Sequence, residues 1–169
     1  EGTVTNSYVP YFGYYHDSQQ RSEFIIPASS ISALNGYAIT SMKFYAGYNY
    51  STSASIQVYL KEVSEGTFSN TTFYTEDGAT TVYTGTLTIS STDGMTITFN
   101  DGYEYNGGNL LVGFYQASAG SGYYSSSSCP FYGVTANGAS ISIYGSYSAT
   151  QRNFLPKVTF GFEPLSSCR

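Results

Sequence analysis

The sequence predicts an all-β protein, a two-sheet β-sandwich of jelly-roll type built from about ten short antiparallel strands. Three observations predict it. Apolar and polar residues alternate at period two along run after run, which is the pattern of half-buried strands. Asn-Gly and Asp-Gly pairs, which favour tight turns, fall between those runs. Only 10% of residues are charged, while Tyr and Phe number 19 and 11, a balance suited to pleated sheet.

The elements follow in order. Tyr8 to Phe12 read as the first strand and "SEFII" as the next. "PASSISAL" predicts a single helical turn, opened by Pro27 and closed by Asn35-Gly36. "SMKFY" places Met42 and Phe44 on one face. In "SIQVYLKEV", Ile56, Val58 and Leu60 alternate with Gln57, Tyr59 and Lys61. "TTVYTGTLTI" changes parity between Val82 and Leu87, which predicts a bulge at Gly85. "MTITF" alternates Met95, Ile97 and Phe99 against threonines. "NLLVGFY" is apolar on both faces and reads as a strand covered on both sides. "ASISIY" puts Ile141 and Ile143 on one face, and "KVTFGF" does so with Val158, Phe160 and Phe162. Turns are expected at Asn35-Gly36, Asp77-Gly78, Asp93-Gly94, Asp101-Gly102, Asn106 to Gly108 and Asn137-Gly138. "SAGSGYYSSSSCP" reads as a long surface loop. Residues 1–163 form one module and 164–169 a C-terminal tail.

Composition narrows the function. Six basic residues, scattered singly in a chain of net charge −5, give no electrostatic footprint for nucleic acid. No apolar run approaches a membrane span. The opening "EGTVTNSYVP" reads as the start of a mature or excised module, so secretion is inferred. Cys129 and Cys168 lack metal-ligand spacing; they form a disulfide in an oxidising compartment or stand as two unrelated thiols.

Enzyme chemistry finds few partners. His16 is the single histidine, so any Ser-His or Cys-His arrangement depends on it. No GxSxG elbow is present. Eleven acids exist, but most sit in turn contexts such as "EDG" and "TDG", where Asp bonds its own backbone. The expectation is a chain that is not an enzyme and carries no cofactor or catalytic metal. A structural calcium is the one exception left open: "NDGYEYNGGN" offers Asn100, Asp101, Glu104 and Asn106, and "HDSQQRSE" offers Asp17 and Glu23, without EF-hand spacing.

Binding fits the residues better. A sugar ring presents C–H faces and a hydroxyl rim, which flat aromatic rings and amide, guanidinium or carboxylate groups can meet. Tyr supplies a ring and a polar tip at low entropy cost. The candidate ligand-binding residues fall in four stretches: Tyr14, Tyr15, His16, Asp17, Gln19 and Arg21; Tyr48, Asn49 and Tyr50; Tyr115, Gln116, Tyr123 and Tyr124; and Gln151 with Arg152. Against this stands a plainer reading, in which tyrosines pair across strands and serve only the sheet.

"TNSYVPYFGYYHD", "SEFIIPAS", "ITSMKFY", "VYLKEV", "TTVYTGTL", "YNGGNLLVGFYQ" and "TQRNFLPKVTF" together resemble a module of large secreted and surface proteins of gut and rumen bacteria. The resemblance runs from Thr3 to Phe162, with "YNGGNLLVG" and "QRNFLPK" its most specific pieces. It implies a β-sandwich, adhesin-like or carbohydrate-binding in kind, secreted or on the cell surface, without catalytic residues. The expected function is therefore a non-catalytic module of a secreted bacterial polysaccharide-degrading protein, monomeric within that larger protein, that binds a polysaccharide or oligosaccharide of neutral, plant cell-wall type through tyrosine-rich loops. The alternative is a structural or adhesive spacer in a large bacterial surface protein.

Overall fold

The computed structural model describes residues 2–11, 19–47, 49–51, 55–116, 130–144 and 148–165, with the backbone alone at 50 and 51. The described chain is an all-β sandwich of antiparallel strands. The strands are β1 (Val4–Asn6), β2 (Gln20–Ile26), β3 (Tyr37–Phe44), β4 (Tyr50–Ser51), β5 (Ile56–Val63), β6 (Thr80–Gly85), β7 (Thr88–Ile89), β8 (Met95–Glu104), β9 (Asn109–Gln116), β10 (Phe131–Thr135), β11 (Ser140–Tyr144), β12 (Thr150–Gln151), β13 (Phe154–Pro156) and β14 (Val158–Pro164).

One layer is a six-stranded sheet in the order β12-β11-β2-β9-β5-β6. Facing it are two three-stranded sheets, β14-β3-β8 and β1-β10-β13, joined by a bridge between Ala46 and Phe131. The chain crosses between layers from β2 to β3, from β6 to β8 and from β8 to β9, and β5 and β6 form a hairpin within one layer. Period-two alternation explains the packing. Phe24, Val58, Leu60, Val112 and Phe114 point in from the six-stranded sheet, and Ile39, Met42, Phe44, Met95 and Ile97 meet them from the other layer. Phe44 sits edge-on to both Phe24 and Phe114, at centroid separations of 6.0 and 5.6 Å.

The strand covered on both sides is β9. Its second face, with Ile25, Tyr59 and Ile141, forms a smaller core. The segment between β5 and β6, residues 64–79, supplies Phe68, Phe73 and Tyr74 to that core, so it lies over the outer face of the six-stranded sheet. We call it the strap. Gly113 in β9 is opposite Tyr59 of β5, and a Cβ on it would lie 2.1 Å from the ring carbons; only hydrogen at that position lets the ring lie on the strand.

Several expected details are corrected. Tyr8 to Tyr11 are not a strand: Asn6 Oδ1 accepts from the backbone N–H of Tyr8 at 2.8 Å and of Val9 at 3.2 Å, an Asx-type turn that ends β1, and Val9 and Tyr11 are buried. The proline-led turn is two 3-10 turns, Ala28–Ser30 and Ser32–Leu34. The β6 irregularity falls at Val82, between partners Tyr83 and Thr81, and at Gly85 the strand simply ends. Asp101-Gly102 makes no turn; it lies inside β8, where Thr98 and Tyr103 pair with Ser41 and Ile39 and the intervening residues bulge. Phe162 leaves the face of Val158 and Phe160 because β14 shifts register between Gly161 and Phe162. It is 53% exposed and edge-on to Tyr37. The other Asn-Gly and Asp-Gly pairs do turn, with positive φ at Gly36, Gly78, Gly94, Gly107 and Gly138.

Candidate functional site

Strand register brings Arg21 and Tyr115 together. Arg21 of β2 pairs with Tyr115 of β9, and Tyr115 pairs with Gln57 of β5. Ile143 of β11 and Thr84 of β6 extend the row on either side. All five project from the outer face, because their chain neighbours in β2, β9 and β5 point into the main core. The Arg21 guanidinium carbon is 4.0 Å from the centre of the Tyr115 ring.

The strap borders this row. Arg21 Nη1 donates to Glu76 Oε1 and to the Tyr59 hydroxyl, both at 2.8 Å. The Tyr59 hydroxyl in turn donates to Glu23 Oε2 at 2.6 Å. Glu23 is fully buried and also accepts from the backbone N–H groups of Tyr74 (2.8 Å) and Thr75 (2.9 Å). Thr75 has φ of 63°, a left-handed conformation unfavourable for a β-branched residue, and its bond to Glu23 fixes the backbone there.

The electrostatics follow from burial. Desolvation raises the Glu23 carboxyl above its ordinary value, and the bonds from Tyr59, Tyr74 and Thr75 only partly offset it. Burial and then the neighbouring Glu23 charge push the Tyr59 phenol far up, so it stays protonated. Burial opposes the Arg21 charge, but Tyr59 and Glu76 outweigh it and raise its pKa. The bond from Arg21 holds the Glu76 carboxyl below its usual range.

The remaining candidates divide. Gln151, opposite Ile141, is on the same face as Arg21 and donates from Nε2 to the Phe68 carbonyl of the strap at 2.9 Å. Gln116 is buried on the inner face, where its Oε1 accepts from Tyr11 OH at 3.1 Å and from Gln20 Nε2 at 3.4 Å. Arg152 lies at the sheet edge, 3.7 Å from the centre of the Tyr8 ring, and donates from Nε to Ser142 Oγ at 2.8 Å; Tyr8 stacks on Tyr144. Asn49 Oδ1 accepts the Ser91 N–H at 2.8 Å and so holds the turn before β8. Gln19 is exposed beside β2, and Tyr50 contributes backbone to β4. Tyr14, Tyr15, His16, Asp17, Tyr48, Tyr123, Tyr124 and the pair Cys129 and Cys168 lie outside the described residues.

Tyr144 pairs with Gln20, Arg21 with Tyr115, and Ile56 with Gln116. The start of β2, the end of β9, the start of β5 and the end of β11 therefore meet at one end of the six-stranded sheet. Sequence reasoning missed Gln57, Tyr59 and Glu76, because their relation to Arg21 depends on which strands pair.

Acids elsewhere also hold backbone. Glu62 accepts from the N–H groups of Asn106 (2.9 Å) and Gly108 (2.8 Å), fixing the turn before β9. Among the described residues no group of three or more acidic, His or Cys side chains converges as a metal site. Both oxygens of Glu23, one of the calcium candidates, are occupied by N–H and O–H donors. No described helix is long and apolar enough to cross a membrane. Compared with models of known families, with curated proteins and with solved structures, the chain finds no match.

Proposed function

We propose that this chain is a non-catalytic carbohydrate-binding module of a secreted bacterial polysaccharide-degrading protein. It takes a neutral glycan of plant cell-wall type on the shelf between the strap and the strand ends. The observation that carries the reading is the Arg21–Tyr115–Gln57 row, an aromatic ring flanked in register by a guanidinium and an amide. Arg21 covers one face of the Tyr115 ring, so a pyranose at this row meets the part of the ring that the guanidinium leaves open with its C–H groups, and the guanidinium and amide with its hydroxyls. The pinned network behind it makes the shelf rigid before ligand arrives, which lowers the ordering cost of binding.

The test is affinity electrophoresis through gels containing cellulose derivatives, xylan, mixed-linkage glucan or mannan. Retardation by at least one is expected, and Tyr115→Ala weakens it about fivefold, the equivalent of about 1 kcal/mol for one stacked ring. Absence of retardation by all of them, or a Tyr115→Ala variant that migrates like the parent, overturns the reading.

A second reading, a structural or adhesive spacer, has its own observation. Many described phenols bond within the fold: Tyr59 to Glu23, Tyr74 to Glu65, Tyr83 to the Thr86 carbonyl, Tyr105 to the Gly108 carbonyl, and Tyr45 with Thr159. These tyrosines work for the sandwich. The same gels separate the two readings, because a spacer is retarded by none of the glycans.

A further inference from the structure

The layer opposite the shelf gathers positive charge. In β3, Met42 and Phe44 point into the core, so Lys43 and Tyr45 face outward. Lys157 stands just before β14, fixed by its N–H bond to the Tyr132 carbonyl at 2.9 Å. The ammonium groups of Lys43 and Lys157 are 5.3 and 4.4 Å from the centre of the Tyr45 ring. Two of the three lysines of an acidic chain thus share one tyrosine. Beside them lies a cleft of about 170 Å³, lined in part by Tyr45, Tyr132, Lys157, Ser91 and Thr92. Its wall includes the turn that Asn49 holds through Ser91.

Among the described residues no ion pair balances these charges. The one salt bridge among the described residues joins Arg21 to Glu76, in the other layer. Two acids adjoin the cleft in the chain: Asp93, whose N–H is tied to Ser90 Oγ at 3.1 Å, and Glu1, which precedes the lining residue Gly2 and lies outside the described residues. Glu104 and Glu163 both pair with Ala38, five positions from Lys43 along β3, which is roughly 16 Å of strand. The sheet therefore has a cationic end and an anionic end. Two ammonium groups on one ring repel each other, and a cation–π contact at an exposed site offsets little of that. A bound anion relieves it.

We infer that this cleft binds carboxylate-bearing sugars, as in a polyuronate chain. The ammonium groups meet the carboxylate, and the hydroxyls of Ser91, Thr92 and Tyr132 form a rim suited to sugar hydroxyls. The chain's net charge of −5 repels polyanions at long range, so retention has to come from this local complementarity. The site is separate from the neutral-glycan shelf and does not depend on it.

The experiment is native affinity electrophoresis of the full chain through gels containing polygalacturonate, or highly methyl-esterified pectin as the uncharged counterpart. Retardation is expected with polygalacturonate, weaker with the esterified polymer, and falling as salt is raised. Lys43→Gln with Lys157→Gln weakens it about fivefold or more, while Lys43→Arg with Lys157→Arg keeps it, a pair that also reads out the site if the Gln pair fails to fold. Lys61→Gln, on the other layer, leaves retention unchanged. The inference is overturned by no retention of the parent on polygalacturonate, by equal retention on the esterified polymer, or by a Lys61→Gln loss as large as that of the Gln pair. Failure of the neutral gels alone leaves these readouts intact, so the two sites are judged separately.

Discussion

Replacing Tyr59 by Phe removes one oxygen from the centre of the strap network. The ring stays over Gly113, so packing is kept. What is lost is the 2.6 Å bond to Glu23 Oε2 and the 2.8 Å acceptor for Arg21. Glu23 is fully buried and keeps only the two strap N–H groups. A hydrogen bond to a buried charged group contributes about 1.5–3 kcal/mol. The Arg21 loss is smaller, because Arg21 retains Glu76 and its side chain is 14% exposed to water. The expected destabilisation is therefore about 2–3 kcal/mol. In urea denaturation that moves the midpoint by about 1 M or more, and in thermal melts by about 4–10 °C. A second signature follows from the sign of the interaction. The lost bond favours ionised Glu23, so the deficit is largest at neutral pH and shrinks as pH falls through the Glu23 titration. A variant within 0.5 kcal/mol of the parent, on the order of a surface change, or a deficit that grows on acidification, refutes the account of the strap.

Gly113→Ala tests the same contact from the strand side. Its Cβ would meet the Tyr59 ring at 2.1 Å, and the ring cannot retreat without breaking its hydroxyl bonds, so a loss of about 3 kcal/mol is expected in urea titration. In the Tyr59→Phe background the same change costs less, because the ring is no longer tethered; equal costs in the two backgrounds contradict the tether. Alkaline titration tests the bonded phenols. Burial, with the acid partners Glu65 and Glu62, pushes Tyr74 and Tyr103 up to about 12. Their folded pKa exceeds the unfolded value, so this stabilisation is complete below about pH 10 and is lost as pH rises towards 12. Tyrosinate absorbance should show a late group of phenols ionising together with loss of structure, and a single early phase would count against their bonds.

The arrangement of strands was legible where the periodicity was clean. "SIQVYLKEV", "MTITF" and "NLLVGFY" fall on β5, β8 and β9 with the expected inward faces, because period-two alternation is a local property of an extended chain. Legibility failed where a neighbour set the register. Phe162 turns outward at a shift against β3, and Asp101-Gly102 bulges within β8 because Ser41 and Ile39 dictate its partners. The sandwich itself was readable for the same local reason, whereas the candidate site was readable only as a list. Arg21 and Tyr115 could be named from the sequence, yet Gln116, next to Tyr115, faces the interior.

The sequence by itself determined the all-β class, most of the longer strands, most of the turns and a composition rich in tyrosine and poor in charge. Those properties depend on residues a few positions apart. Only the tertiary structure decided that Arg21 would lie on Tyr115, that Tyr59 would bridge Arg21 to Glu23, and that Lys43 and Lys157 would meet at Tyr45. Each of these contacts joins strands distant in the chain. Their geometry is fixed by which edges hydrogen-bond and in what register, and no single segment encodes that choice.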